Sequence, residues 1–144
     1  MINFFPEERR QQLLMDLSLN TRSFISQRLI PRESGTGRIA ALEIMLNSPL
    51  IADLIFKGEV AQIKEAMKAG AEQGMVTFDQ FLFQLFENGT ISYDEAIRNA
   101  DSQNEVRLDI KLKSKRARQN LMEDDAVKKM QMKEEEKGLM GGRR

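Results

Sequence analysis

The sequence predicts a mainly α-helical chain that contains one β-hairpin, and three patterns lead to this expectation. Residues 26–46 hold two apolar runs separated by the polar break 31–37, which contains Pro31, Gly35 and Gly37. Glycine and proline in such a break are typical of a turn between two strands. Most of the chain outside this stretch, up to residue 112, has apolar residues at helical spacing. Capping residues and glycines divide those stretches into short helices.

The first helix is predicted to begin at Pro6, because proline fits the first turn of a helix, and to end near residue 24. Leu13, Leu14 and Leu17 give it an apolar face. The second strand of the hairpin, residues 40–46, is apolar except for one glutamate. A continuous apolar run favours a strand that is buried on both faces. One hairpin cannot bury both of its faces, so the pattern implies a larger sheet or helices on both sides.

The stretch 47–112 is predicted to form five short helices with tight turns, which favours a compact helical bundle. Three helix starts stand out: Ser48 followed by Pro49, Thr77 paired with Gln80, and Ser92 paired with Glu95. The last helix is expected to start near Asp101 and to present Val106, Leu108 and Ile110 on one apolar face. Four phenylalanines, at 78, 81, 83 and 86, surround the helix that follows Thr77. Core packing explains most of them, and a partner interface is the alternative.

Composition excludes several kinds of chemistry and predicts an exposed tail. The 144 residues include no cysteine and no histidine, so thiolate sites, disulfides and histidine bases or ligands are excluded. No apolar run approaches the roughly 20 residues that span a bilayer, so we expect a cytoplasmic protein. Residues 113–144 carry ten Lys or Arg against six Asp or Glu, a net charge of +4, and no sustained apolar stripe. We expect disorder there, or a transient helix. Nucleic-acid binding by this tail is a weaker hypothesis, since no aromatic residues interleave with its charges.

Motifs for catalysis are not found in the sequence, and we identify no catalytic or metal-binding residue. The phosphate-loop pattern G-x-x-x-x-G-K-[ST] does not occur, and the "SGTG" stretch fits a hairpin loop better than a phosphate cradle. Arg28, Arg32 and Arg38 flank the predicted strands. Arginines at strand ends of an ATPase sheet can contact a phosphate, so Arg28 and Arg32 are weak candidates for nucleotide contact, and a surface role is the alternative.

Three stretches together resemble a known family. "FFPEERRQQLLMDLSLNTRSFISQRLIPR", "GRIAALEIMLNSPLIADLIFKGE" and "GMVTFDQFLFQL" closely resemble the C-terminal part of the type IV pilus retraction ATPases, the PilT/PilU family of twitching-motility motors. The resemblance covers residues 3 to about 112, and "LIADLIFKGE" with "ISYDEAIRNAD" makes it closer to the PilU members.

The resemblance implies a fold and a set of partners. Residues 1–46 would be the C-terminal edge of a RecA-like α/β ATPase domain, 47–112 a helical C-terminal domain, and 113–144 a charged tail. The family hydrolyses ATP with Mg²⁺ in a hexameric ring and belongs to the secretion ATPase superfamily. Its Walker A and Walker B motifs are not present in this sequence, so the chain alone is expected to lack hydrolysis and to hold no cofactor. Expected partners are other motor subunits, the paralogous retraction ATPase and the inner-membrane platform protein of the pilus, and not nucleic acid.

One helix is implied to contact partners during retraction. The family motif Ala-Ile-Arg-Asn-Leu-Ile-Arg-Glu corresponds here to residues 50–57. The family residue is kept at Ile51, Leu54 and Ile55, whereas the two arginines are replaced by Ala52 and Phe56. The candidate partner residues are Leu50, Ile51, Asp53, Leu54, Ile55 and Lys57. The alternative to a motor fragment is a stand-alone helical module that binds a motor or another partner.

Overall fold

The structure, a computed structural model, describes residues 6–119 and is mainly helical with one antiparallel hairpin, as predicted. In chain order the elements are α1 (Glu7–Asn20), β1 (Ser23–Pro31), β2 (Arg38–Leu46), α2 (Pro49–Lys57), α3 (Val60–Ala69), a 3-10 turn (Ala71–Gln73), α4 (Phe78–Glu87), α5 (Tyr93–Asn99) and α6 (Gln103–Lys113). A further helical segment covers 115–119. Within the described residues, none of these helices has the length and apolarity needed to cross a bilayer.

Helix α1 ends at Asn20, about four residues earlier than the sequence predicts. The side-chain amide of Asn47 donates hydrogen bonds of 2.9 Å to the backbone carbonyls of Ser18 and Thr21. These bonds satisfy carbonyls that the last turn of a helix leaves without partners. The chain then turns directly into β1, where Ser23 pairs with Leu46. A contact from 26 residues away, which sequence periodicity does not register, therefore sets the helix end.

Three of the bundle helices, α2, α4 and α5, begin at the capping residues that the sequence predicts, whereas α6 begins at Gln103, two residues after the expected start. Ser48 accepts a hydrogen bond from the Ile51 amide, and Gly58 closes α2 in the left-handed conformation with φ of 72°. Thr77 and Gln80 form a complete capping box at α4. At α5 only half of the predicted box forms: Ser92 accepts from the Glu95 amide, while the Glu95 carboxylate bonds Arg98 and Asn99 instead.

Two buried clusters form the core, and the hairpin contributes to both of them. The larger cluster contains Ile30 and Ala41 of the hairpin together with residues of α4, α5 and α6. Phe78 and Phe86 belong to it, and Phe81 and Phe83 pack against it half-buried, so core packing accounts for these phenylalanines. The smaller cluster combines Met45 of β2 with residues of α2, α3 and the segment before α4. The apolar face of α1 packs against this second cluster.

The C-terminal part of the described chain departs from the sequence expectations at two points. On α6, Val106 and Ile110 are buried as predicted, but Leu108 is 55% exposed, because the helix buries one narrow i, i+4 stripe. The charged tail was predicted to start at residue 113, whereas Lys113 ends α6 and Ser114 is fully buried. The Ser114 hydroxyl donates a 2.6 Å hydrogen bond to Glu87, which fixes the chain to the end of α4. The rest of the predicted tail, 120–144, lies outside the described residues.

Candidate functional site

Both faces of the hairpin carry apolar residues, and helices of the described chain pack on one of them. Directly opposite residues of the antiparallel pair share a face, and alternate residues point to opposite faces. The register places Ile25, Gln27 and Leu29 of β1 opposite Ile44, Leu42 and Ala40 of β2. We call these six residues the outer face. Five of the six are apolar, although Ile25 is 67% and Leu29 57% exposed.

The opposite, inner face of the hairpin packs on the bundle. Ile30 and Ala41 are fully buried there, and Met45 is 7% exposed. The carboxylate of Glu43 accepts a hydrogen bond from the backbone N–H of Phe78, so β2 is also tied to the start of α4. Apolar residues therefore lie on both faces of the hairpin, as the sequence predicts. Within residues 6–119, however, the burial that the pattern predicts is achieved on the inner face alone.

The two edges of the hairpin also differ. On the far edge of β2, Ile44 and Val76 exchange two backbone hydrogen bonds of 2.9 Å each. Strand β1 pairs with β2 on one side, and its other edge has no strand partner in the described part of the chain. Backbone groups on such an edge can pair with another strand. The outer face and the free edge of β1 together form the candidate site.

Arg28, one of the two weak candidates for nucleotide contact, is bonded to the helical bundle. Its guanidinium donates a 2.8 Å hydrogen bond to the Asn99 carbonyl and another of 2.8 Å to the Asp101 carboxylate. The guanidinium carbon lies 4.2 Å from the centre of the Phe78 ring, a cation–π contact. The structure thus assigns Arg28 a bridging contact between β1 and the α5–α6 turn.

Asp101 receives a second cation, Lys64 of α3, at 2.5 Å. Burial acts to raise the pKa of Asp101, but hydrogen bonds from Lys64 and Arg28, together with their charges, outweigh it and leave that pKa below its ordinary value. The backbone N–H groups of Asp101 and Ser102 donate to the Asp79 carboxylate at 2.8 and 3.0 Å. Side chains of β1, α3 and α4 therefore hold the α5–α6 turn.

Arg32, the other candidate, lies in the hairpin loop with its side chain exposed. The neighbouring Glu33 holds that loop in place instead: its N–H donates to the Thr90 carbonyl at 3.0 Å. Its carboxylate accepts two hydrogen bonds of 2.6 Å from Arg116. Arg116 also donates to the carbonyls of Phe86 and Ile91 and lies 4.7 Å from the Phe86 ring centre. The 114–119 segment thereby connects the hairpin loop to α4 and to the loop between α4 and α5.

The implied partner helix is α2, and it has one buried and one exposed face. Ile51, Leu54 and Ile55 are buried, at 0%, 5% and 6% exposure. Leu50 and Phe56, at 56% and 49% exposure, lie on the opposite face with Asp53 and Lys57. The last two form an i, i+4 salt bridge of 2.6 Å. The exposed face therefore combines two large apolar side chains with one compensated ion pair, which suits contact with a protein surface.

A cleft of about 700 Å³ lies between α1, the inner side of the hairpin and α3. Its walls are mostly apolar and include Leu14, Phe24, Met45, Ile55 and Met67, with Lys64 and Glu43 as charged members. Among residues 6–119, no cluster of acidic side chains has the arrangement of a metal site.

The sequence does not reveal the contacts of Asp101 and Arg116, because each acts through partners distant in the chain. Glu33 and Arg116 are 83 residues apart, and Arg28 and Asp101 are 73 apart. A lone charge near the end of a helix carries no local signal of such a contact. The arginines that flank the strands were the available signal, and the sequence analysis related them to nucleotide contact instead.

No family model matches the chain. Comparison with known proteins does find related sequences. The type IV pilus ATPase PilU of Pseudomonas aeruginosa is 53% identical over 114 residues, which cover 79% of this chain and 30% of that protein. The type IV pilus retraction ATPase PilT of the same organism is 39% identical over 100 residues, 69% of this chain and 29% of that protein. The chain therefore spans about 30% of the length of the curated relatives it matches.

A solved structure of the pilus retraction motor PilT with bound ADP superposes with a TM-score of 0.63 and 28% sequence identity. The match covers 72% of this chain and 28% of that one. The arrangement of hairpin and helices described above is thus shared with a portion of a nucleotide-bound motor.

Proposed function

Because this chain belongs to the PilT/PilU family of type IV pilus ATPases, we propose that it forms the C-terminal part of a pilus retraction motor subunit. In this role the chain supplies the last strands of a RecA-like domain and the helical domain that follows them. The nucleotide-binding core, with its phosphate loop and Mg²⁺-binding acids, comes from the portion of the relatives that this chain does not match.

The observation that carries the proposal is the uncovered outer face of the hairpin. An apolar sheet face with Ile25 and Leu29 more than half exposed is unfavourable in water and is typical of a surface that another layer covers. A RecA-like core provides helices on both sides of its sheet, which matches the two apolar faces. A hairpin that continues the sheet of such a core therefore explains both the apolar residues on its two faces and the exposure of Ile25 and Leu29.

The proposal assigns the remaining surfaces to partners. The exposed face of α2, with Leu50, Asp53, Phe56 and Lys57, contacts a neighbouring motor subunit, the paralogous ATPase or the platform protein at the cytoplasmic side of the inner membrane. Leu50 and Phe56 supply apolar contact area, while the pairing of Asp53 with Lys57 leaves the face near neutrality. ATP and Mg²⁺ act in the assembled motor, and this chain contributes no catalytic group.

The test supplies the missing core in trans. The chain is co-expressed with a PilU fragment from Pseudomonas aeruginosa that lacks the matched 30%, and co-purification and ATP hydrolysis are measured. We expect the two pieces to co-purify and hydrolysis to exceed that of either piece alone. Leu29→Lys should abolish co-purification, whereas Leu112→Lys on α6, a position with the same 57% exposure, should leave it intact. Loss of co-purification in both variants, or in neither, would contradict docking through the outer face.

A stand-alone interaction module is the second candidate, and it is favoured by the buried cluster that α4, α5 and α6 share. A chain with its own core can act as an independent binding domain. Such a module predicts that wild type does not co-purify with the motor core and that the exposed face of α2 alone captures a platform or motor protein. The trans-complementation experiment separates the two functions.

A further inference from the structure

We propose that this chain, in the absence of a motor core, forms a two-fold symmetric dimer in which β1 pairs antiparallel with β1 of a second copy, centred on Gln27. The dimer requires only residues that the structure describes, and it does not depend on the proposed function. The dimer uses the free backbone edge of β1, whereas the proposed motor core covers the outer face of the hairpin.

The free edge of β1 carries none of the usual protection against pairing. Proteins block exposed edge strands with charges, prolines, bulges or covering loops. Strand β1 pairs with β2 over nine consecutive positions without a bulge, and its single proline is the last residue, Pro31. Its single charge is Arg28, and the guanidinium is directed to Asn99 and Asp101 on the bundle. In the described part of the chain, eight of the nine residues of this edge strand are exposed, and Ile30 alone is buried.

The centre at Gln27 follows from the composition of the strand. It is the one antiparallel register that pairs all nine residues, Ser23–Pro31, with the same nine of the second copy. It places Ile25 of each copy opposite Leu29 of the other, so the two exposed apolar residues form two cross-strand pairs. Arg28 lies opposite Ser26 of the second copy, so no like charges face each other, whereas a centre at residue 28 would place Arg28 opposite itself.

The resulting assembly is closed. The new sheet has the order β2, β1, and then β1 and β2 of the second copy, and its outer face joins the apolar outer faces of both hairpins. Each terminal strand is β2, whose far edge is already bonded to Val76 at Ile44. Because this two-fold interface uses the same edge on both copies, pairing through β1 ends at two copies.

The first test compares two double variants of the full chain by sedimentation equilibrium and light scattering. Wild type should dimerise reversibly with rising concentration. Ile25→Lys with Leu29→Lys puts lysine opposite lysine in the dimer, and we expect the dissociation constant to rise about tenfold or more. Ile25→Lys with Leu29→Glu puts lysine opposite glutamate and should restore dimerisation. Leu108→Lys with Leu112→Lys, a control on α6 at 55% and 57% exposure, should behave as wild type.

The second test measures the register directly, using the absence of cysteine in the chain. In the proposed dimer the Gln27 positions of the two copies face each other, at a Cα separation of about 4.5–5.5 Å that suits a disulfide. Ser23 of each copy lies opposite Pro31 of the other, which is eight residues along the strand from the second Ser23. Gln27→Cys should therefore form a covalent dimer on mild oxidation, and Ser23→Cys should not.

Several results would overturn the dimer. They are a wild-type chain that stays monomeric at every concentration, open aggregates of increasing mass, a Lys/Lys variant that dimerises like wild type, or equal oxidation of the two cysteine variants. Circular dichroism of each variant confirms that it is folded. Failure of the dimer leaves the trans-complementation result intact, so the two proposals are tested separately.

Discussion

At the scale of single residues, Leu54 separates the two faces of α2. Its side chain is 5% exposed on the buried stripe of the helix. We expect Leu54→Asp to lower the free energy of unfolding by about 3 kcal/mol or more, because it places a charge without a partner in an apolar site. Chemical denaturation with a circular dichroism readout measures the change.

Leu50→Asp is the matched control on the same helix. Leu50 is 56% exposed and lies in the first turn of α2, where a negative charge is favoured by the helix dipole. We expect a change within about 0.5 kcal/mol. Equal destabilisation by both substitutions would show that the exposed face is covered in solution.

Asp101 gives the fold a pH dependence with a defined sign. Its folded-state pKa is lowered, so its contribution to stability is present above the unfolded pKa of about 3.9 and is lost as pH falls through the folded value. We expect the stability difference between wild type and Asp101→Asn to be constant above about pH 5 and to shrink as the solution is acidified. Thermal unfolding at a series of pH values measures it, and a difference independent of pH would contradict the role of the two cations.

At the scale of elements, the sequence predicts the short helices well because their ends are encoded locally. Ser48 with Pro49, Thr77 with Gln80, and Gly58 each specify a boundary through neighbours within three or four residues. The end of α1 and the buried stripe of α6 were not predicted correctly, since distant contacts decide them. Asn47 ends α1 from across the hairpin, and packing on α4 selects Val106 and Ile110 over Leu108.

The connection between the hairpin loop and the 114–119 segment predicts a local change in hydrogen exchange. Arg116→Gln removes the bidentate contact to Glu33, so we expect faster amide exchange at Glu33, whose N–H is bonded to Thr90. Amides of α2, remote from this contact, should keep their protection. The control is Lys115→Gln, which alters an exposed neighbour and should leave Glu33 unchanged. Unchanged exchange in the Arg116 variant would mean that Thr90 alone holds the loop.

At the scale of the whole molecule, the predicted boundary between residues 46 and 47 divides a shared core. Ile30 and Ala41 belong to the larger buried cluster, and Met45 belongs to the smaller one. We expect a chain that begins at residue 47 to lose cooperative unfolding, because removal of the hairpin opens both clusters. The full chain should unfold in one transition. A sharp thermal transition of the shortened chain would establish 47–119 as an independent domain.

The candidate site was predicted in part. The run of residues 40–46, apolar except for Glu43, already indicates that two faces of the hairpin need cover. It does not indicate which face the chain itself covers. That choice depends on where Phe78 and α4 meet the hairpin, a contact between residues 35 positions apart in the chain.

The position of Arg28 has a consequence for communication across the fold. If a nucleotide phosphate in an assembled motor engages this guanidinium, it must compete with the Asn99 carbonyl and the Asp101 carboxylate for the same donors. Nucleotide binding and the position of the α5–α6 turn against β1 are then thermodynamically linked. By reciprocity, a partner that displaces this turn changes nucleotide affinity by the same factor. A contact that holds one strand to one turn would thus make the helical bundle sensitive to the nucleotide state.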